Sequence, residues 1–244
     1  MNSTKVLSHF AMLGFSVFVG GSFVVSAILT NQISPDFLTL LRFALSAALL
    51  TCYLVYLKQK LRFLVVYWKS FTVLAACYVF FFILLFYSLR FTSPTSAATI
   101  FTLLPFIALG LSSIFAKHFP PLKTFFVLTV GACGAIFVIM KGDFRNLLNL
   151  NFNFGDLLIL LGTIFHALYI VLLPKFKIKA DSLEITVGVT FYGAILLFFI
   201  SLQNLELAVV LNFSVKHWLS FIYLVIFASI GTFSLLAFAS RNIS

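Results

Sequence analysis

Eight apolar runs, each about as long as a bilayer is thick when wound into an α-helix, follow one another with little between them. They are Leu7 to Leu29, Phe37 to Leu57, Ser70 to Leu89, Thr95 to Ala116, Leu122 to Met140, Gly155 to Pro174, Ser182 to Leu202 and His217 to Ala239. An α-helix needs roughly 20 apolar residues to cross about 30 Å of hydrocarbon. The runs are continuously hydrophobic, which argues against the alternating pattern of a β-barrel. With 62% hydrophobic and 9% charged residues, the 244-residue chain carries more apolar side chain than one soluble core could hide, whereas lipid accepts it. The expectation is an all-α membrane protein, a polytopic helical bundle of eight transmembrane helices. Lys5 ahead of the first run resembles the start of a secretion signal, but that run is longer than a signal core and equivalent runs follow it, so it reads as a retained helix.

The charges orient the bundle. Joining the eight spans puts Lys58, Lys60, Arg62, Lys69, Lys117, Lys123, Lys175, Lys177 and Lys179, with Lys5 and Arg241, on one side, against Arg90, Lys141, Arg145 and Lys216 on the other. The positive-inside rule makes the richer side cytoplasmic and places the N-terminus there. The expected location is the cell inner (cytoplasmic) membrane. A net charge of +10 is then accounted for by topology and anionic lipid, with no nucleic acid as partner. Cys52, Cys77 and Cys133 all fall inside apolar runs and form neither a disulfide framework nor a metal-ligand spacing, so neither metal nor cofactor is expected. The sequons at Asn2, Asn212 and Asn242 matter only in a secretory pathway.

The fourth run, Thr95 to Ala116, differs from the rest in carrying Pro105 at its centre among hydroxyls and small residues. Proline removes one backbone hydrogen bond, and lipid cannot satisfy the carbonyl that is freed, so this helix should line a polar interior.

The chain also echoes itself. Leu13-Gly14 matches Leu161-Gly162, Leu41-Arg42-Phe43 matches Val189-Thr190-Phe191, and Phe82 to Arg90 resembles Thr232 to Arg241 with a small offset. Spans six to eight thus repeat spans one to three. A period of five spans, an odd number, sends the second copy in from the opposite side, and inverted repeats commonly hold a substrate near the midplane between copies. The expected organisation is a first repeat of five helices over residues 1–141 and an incomplete second repeat of three over residues 154–244, a 5+3 form of a 5+5 architecture.

Several short motifs carry a resemblance that covers essentially the whole chain. Gly20-Gly21-Ser22-Phe23, Leu41-Arg42-Phe43-Ala44, Thr95-Ser96-Ala97-Ala98 leading to Leu104-Pro105-Phe106, Gly131-Ala132-Cys133-Gly134, and Gly155-Asp156 with His166-Ala167-Leu168-Tyr169 occur in order on successive spans. In this the chain resembles the EamA-type proteins of the drug/metabolite transporter superfamily. The resemblance implies two five-helix inverted repeats around a central cavity, and a carrier for small organic solutes such as amino acids, nucleobase-like metabolites or drugs. It also implies ten helices where eight are found. A truncated chain, a homodimer that supplies the missing wall, and a genuine eight-helix form all remain open.

A polar group at membrane depth is costly, which makes each one a candidate site residue. Arg42, about one turn inside the outer end of its run, could clamp a substrate carboxylate or phosphate, or bond neighbouring carbonyls as a structural residue. His166 has Tyr169 on the same helical face; it could bond a solute or gate by titration, or be a buried histidine held by a hydroxyl. Gly21 and Ser22, next to Gly20, allow close approach of a solute or of another helix. Thr99, Thr102 and Pro105 are candidates for a cavity wall. No Asp or Glu lies near the centre of a span, so coupling through a midplane carboxylate is not expected.

Two rival classes stand beside a solute carrier working by alternating access. An intramembrane lipid-modifying enzyme would need nucleophile, base or metal ligands converging at one depth, and His9, His118, His166 and His217 are isolated from one another and from carboxylates in sequence. A non-transporting fragment or assembly partner is the other. The expected partners are a small-molecule solute and the lipid bilayer.

Overall fold

The structure, a computed structural model, describes residues 3–116, 121–139, 153–232 and 235, and among these every regular element is helical. In chain order the helices are α1 (Ser3–Thr30), α2 (Pro35–Tyr56), α3 (Arg62–Val66), α4 (Trp68–Ser88), α5 (Pro94–Phe101), α6 (Leu104–Ala116), α7 (Leu122–Ile139), α8 (Phe154–Leu172), α9 (Ser182–Ile200), α10 (Leu207–Leu211) and α11 (Val215–Val225), which runs on into a π-helical turn, Ile226–Gly231. Among the described residues six segments are long and apolar enough to cross a membrane: Phe10–Thr30, Pro35–Tyr56, Trp68–Ser88, Pro94–Phe115, Phe154–Phe176 and Ser182–Gln203. Leu122–Gly134 and Val215–Gly231 are shorter apolar helices.

Local chemistry sets the ends. Ser34, Ser93, Asn153, Asp181 and Ser214 stand as N-caps, and Pro35 and Pro94 take first-turn positions where their missing N–H costs nothing. Asn153 with Asp156, and Asp181 with Glu184, form reciprocal capping boxes at the starts of α8 and α9. Inside the helices, hydroxyls bond back to their own helix, as in Thr163 to the Ile159 carbonyl at 2.7 Å and Thr190 to that of Thr186 at 2.8 Å. This is how a hydroxyl is satisfied where water is absent. Large apolar side chains such as Val17, Ile114, Phe126 and Phe199 lie on the outside, well over half exposed, which suits lipid and not water.

The helices fall into two compact units, Met1–Val79 with Ile178–Ser244, and Phe80–Lys177. Each draws on both of the stretches read as repeats in the sequence.

In the first unit α9 packs against α2 and α4, and two of its glycines make the approaches possible, Gly188 towards α4 and Gly193 towards α2. A Cβ on Gly188 would stand 2.5 Å from the Phe71 ring, and one on Gly193 would stand 2.6 Å from that of Phe43. Phe71 is fully buried, stacked on Tyr192 with centroids 6.3 Å apart, and the Tyr192 hydroxyl donates to the Leu64 carbonyl at 3.0 Å. On another side, α1 meets the π-helical turn that follows α11 through Phe18 and Phe227, 5.2 Å apart.

In the second unit α8 packs against α5 and α6. Gly162 of α8 admits the Phe81 carbonyl and Leu84, each 3.3 Å from where its Cβ would be. At the start of α8, Gly155 leaves room for backbone: its Cβ would lie 2.7 Å from the Ser88 oxygen and 2.9 Å from the Thr92 nitrogen.

Candidate functional site

The proline of the fourth run does more than bend it. The segment is divided into α5 and α6 by a turn at Thr102–Leu103, with Pro105 as the second residue of α6. Pro105 has no N–H to offer the carbonyl four residues back, so the ladder restarts, and Phe106 and Ile107 both donate to Leu103 at 3.0 Å. At this break Thr102 donates its hydroxyl to the Thr99 carbonyl at 2.6 Å, and Thr99 donates to Thr95 at 2.9 Å. With their protons committed, these hydroxyl oxygens can still accept from a solute N–H or O–H.

Beside the break stand aromatic rings. Phe101 stacks on Phe81 at 5.6 Å, and the His166 imidazole sits 4.4 Å from Phe81, 5.5 Å from Phe101 and 6.3 Å from Tyr169. The second unit therefore brings His166 and Tyr169 into one aromatic group with Phe101, in the turn that leads to Thr102. Thr99 is buried, Thr102 is half-buried and Pro105 is exposed. Phe81 and Phe101 are the residues of this candidate site that sequence reasoning missed, because nothing in a chain with 33 phenylalanines marks two of them as special.

The remaining candidates belong to the first unit. A side chain on Gly21 would run into the hydroxyl of Tyr223, which itself donates to the Phe18 carbonyl at 3.2 Å, so the glycine serves the contact of α1 with α11. Ser22 donates to the Val19 carbonyl at 2.6 Å. Arg42 is the eighth residue of α2, about two turns from its start and deeper than the sequence suggested, because the helix begins already at Pro35. It is 3% exposed; its Nε donates to Ser229 Oγ at 2.8 Å and its Nη2 to the Ala228 carbonyl at 2.9 Å. Both acceptors lie in the π-helical turn, where Ser229 in turn donates to the Leu224 carbonyl five residues back. The guanidinium thus spends two donors on the last described helix.

Two buried carboxylates stand near span ends. Asp156, 3% exposed, accepts from Thr92 Oγ1 at 2.6 Å and Ser96 Oγ at 2.8 Å on Oδ1, and from the Asn153 N–H at 3.0 Å on Oδ2. Its signal in the sequence is the capping-box spacing from Asn153. Asp36, 4% exposed in the first turn of α2, accepts from Asn204 Nδ2 at 3.3 Å, and no local pattern announces that partner.

Apolar helices of membrane-crossing length, polar groups satisfied on their own helices and an outward-facing apolar surface define a multi-pass helical membrane protein. A model of the EamA-like transporter family matches residues 6–140, more than half of the chain, and the protein belongs to that family. It is a membrane transporter. The chain is similar to the "Uncharacterized transporter YyaM" of Bacillus subtilis (strain 168), with 29% identity over 227 residues that cover 91% of this chain and 73% of that protein. No solved structure matches the chain significantly.

Proposed function

We propose that the protein carries a small organic solute, of the amino acid, nucleobase-like or drug type, across the cytoplasmic membrane by alternating access. The observation that carries this reading is the broken fourth span, an apolar segment of membrane-crossing length whose Phe101, next to the Thr102 hydroxyl, lies 5.5 Å from the His166 ring. Aromatic faces suit the planar or apolar body of a solute, and Thr99 and Thr102 suit its donors. In cells expressing the chain, screened across amino acids, nucleosides and toxic analogues, one class is expected to accumulate or be expelled. His166→Ala should raise KM about fivefold, the loss of an aromatic contact of about 1 kcal/mol, while membrane insertion is kept. Unchanged uptake kinetics in that variant would remove His166 from the site.

The architecture that goes with this reading is eight spans in two inverted repeats, residues 1–141 and 154–244. The family match falls on the first of these. A reciprocal pair of contacts also favours it: a Cβ on Gly14 would stand 3.3 Å from Leu235, and one on its counterpart Gly162 stands 3.3 Å from Leu84. The orientation follows from the lysines, with the N-terminus cytoplasmic. Single cysteines replacing Lys60 and Lys177 should react with an impermeant thiol reagent only from the cytoplasm, and those replacing Asn31 and Asn212 only from outside. Cytoplasmic labelling at position 31 would reverse the topology.

A further inference from the structure

The start of α2 and the loop before α10 are tied together in a crossed fashion. The Ser34 N–H donates to Glu206 Oε2 at 2.8 Å, and Asn204 Nδ2 donates to Asp36 Oδ2 at 3.3 Å. Residues 34 and 36 thus pair with 206 and 204 in antiparallel register, which sets the Asp36 and Glu206 carboxylates diagonally across one small junction. Asp36 is 4% exposed, and Glu206 is half-buried.

This junction is under-satisfied in a specific way. Asp36 Oδ1 and Ser34 Oγ are both buried, and neither has a hydrogen-bond partner among the described residues. Ser34 is the N-cap of α2, yet its hydroxyl makes no cap bond. Neither Asp36 nor Glu206 has an ion-pair partner among the described residues. A buried carboxylate without a counter-charge is strongly unfavourable, so the arrangement calls for a positive charge to complete it.

From this we infer that Ser34, Asp36 and Glu206 form a binding site for a monovalent alkali cation, Na+. The donor set is all oxygen, which selects a hard cation over a transition metal. Each carboxylate already has one oxygen committed, leaving Asp36 Oδ1, Ser34 Oγ and Glu206 Oε1. Three protein oxygens are few for Ca2+, which takes 6–8. The N-terminus of α2 also offsets part of the negative charge, so one positive charge balances what remains.

The test is made on the purified full chain in detergent at neutral pH, with ionic strength held constant by choline chloride. Radioactive 22Na+ should bind saturably, and NaCl should raise the melting temperature where choline does not. Asp36→Asn should abolish saturable binding while melting in choline at least as high as the parent, since it removes an uncompensated charge. Ser34→Ala should weaken binding about tenfold, the loss of one ligand oxygen; it carries the test should Asp36→Asn fail to accumulate. Absence of 22Na+ binding, equal melting in Na+ and choline, or stabilisation by Ca2+ alone would each overturn the assignment. The readout is binding, so it stands or falls separately from any solute transported.

Discussion

Replacing Asp156 with alanine is expected to lower the stability of the protein by roughly 3–4 kcal/mol, from two hydroxyl bonds to a charged acceptor at about 1.5 kcal/mol each and a helix cap at about 1 kcal/mol. The carboxylate is the node that ties the start of α8 to Thr92 and Ser96 at the start of α5. Its removal frees two hydroxyls in a site 3% exposed and opens the Asn153 capping box at the same time. The melting temperature in detergent should fall by roughly 10 °C, taking the usual relation between free energy and midpoint for a chain of this size. Thr92→Val and Ser96→Ala should each cost less, and combining either with Asp156→Ala should add little, because the three side chains share one interaction. Full additivity would show that the bonds act independently and that the node has been misread.

The second large effect is steric. Gly188→Ala should destabilise the protein by roughly 1–3 kcal/mol, the range for forcing extra volume into a packed interior, and Gly188→Leu should prevent accumulation of folded protein. The reason is the ring a Cβ would meet. Phe71 is 0% exposed and hemmed by Phe63, Tyr67 and Tyr192, so it has nowhere to rotate. A Cβ at Gly20 meets nothing within 4 Å, so Gly20→Ala is the matched control, expected to behave as the parent. Equal melting temperatures for Gly188→Ala and Gly20→Ala would contradict the packing of α9 on α4.

How much of this was legible in the sequence depends on the range of the interaction. Helix formation in lipid is a local matter of hydropathy, so the runs gave the helical class, and the proline at 105 marked the fourth run as irregular without locating the break at Thr102–Leu103. The capping boxes at Asn153 and Asp181 were likewise readable at a spacing of three. What stayed hidden depends on folding. Arg42 finds Ser229 at a separation of 187 residues, and Asp36 finds Asn204 at 168. No periodicity foretells such partners. The ring about His166 was hidden for a different reason, since phenylalanine is too common here for any single one to stand out.

The π-helical turn at Ile226–Gly231 bears on how the chain is compared with itself. A π turn closes its hydrogen bonds one residue later than an α turn, so it behaves as a single inserted residue within an otherwise continuous helix. Gly14 and Arg42 meet their echoes Gly162 and Thr190 at one spacing, while Phe82 meets Thr232 at a spacing two residues longer. Thr232 lies directly after the π turn, so one residue of that slip has a physical location. At Thr232 an ungapped alignment of the two stretches is two positions out, of which the π turn supplies one, about 100° of helical rotation.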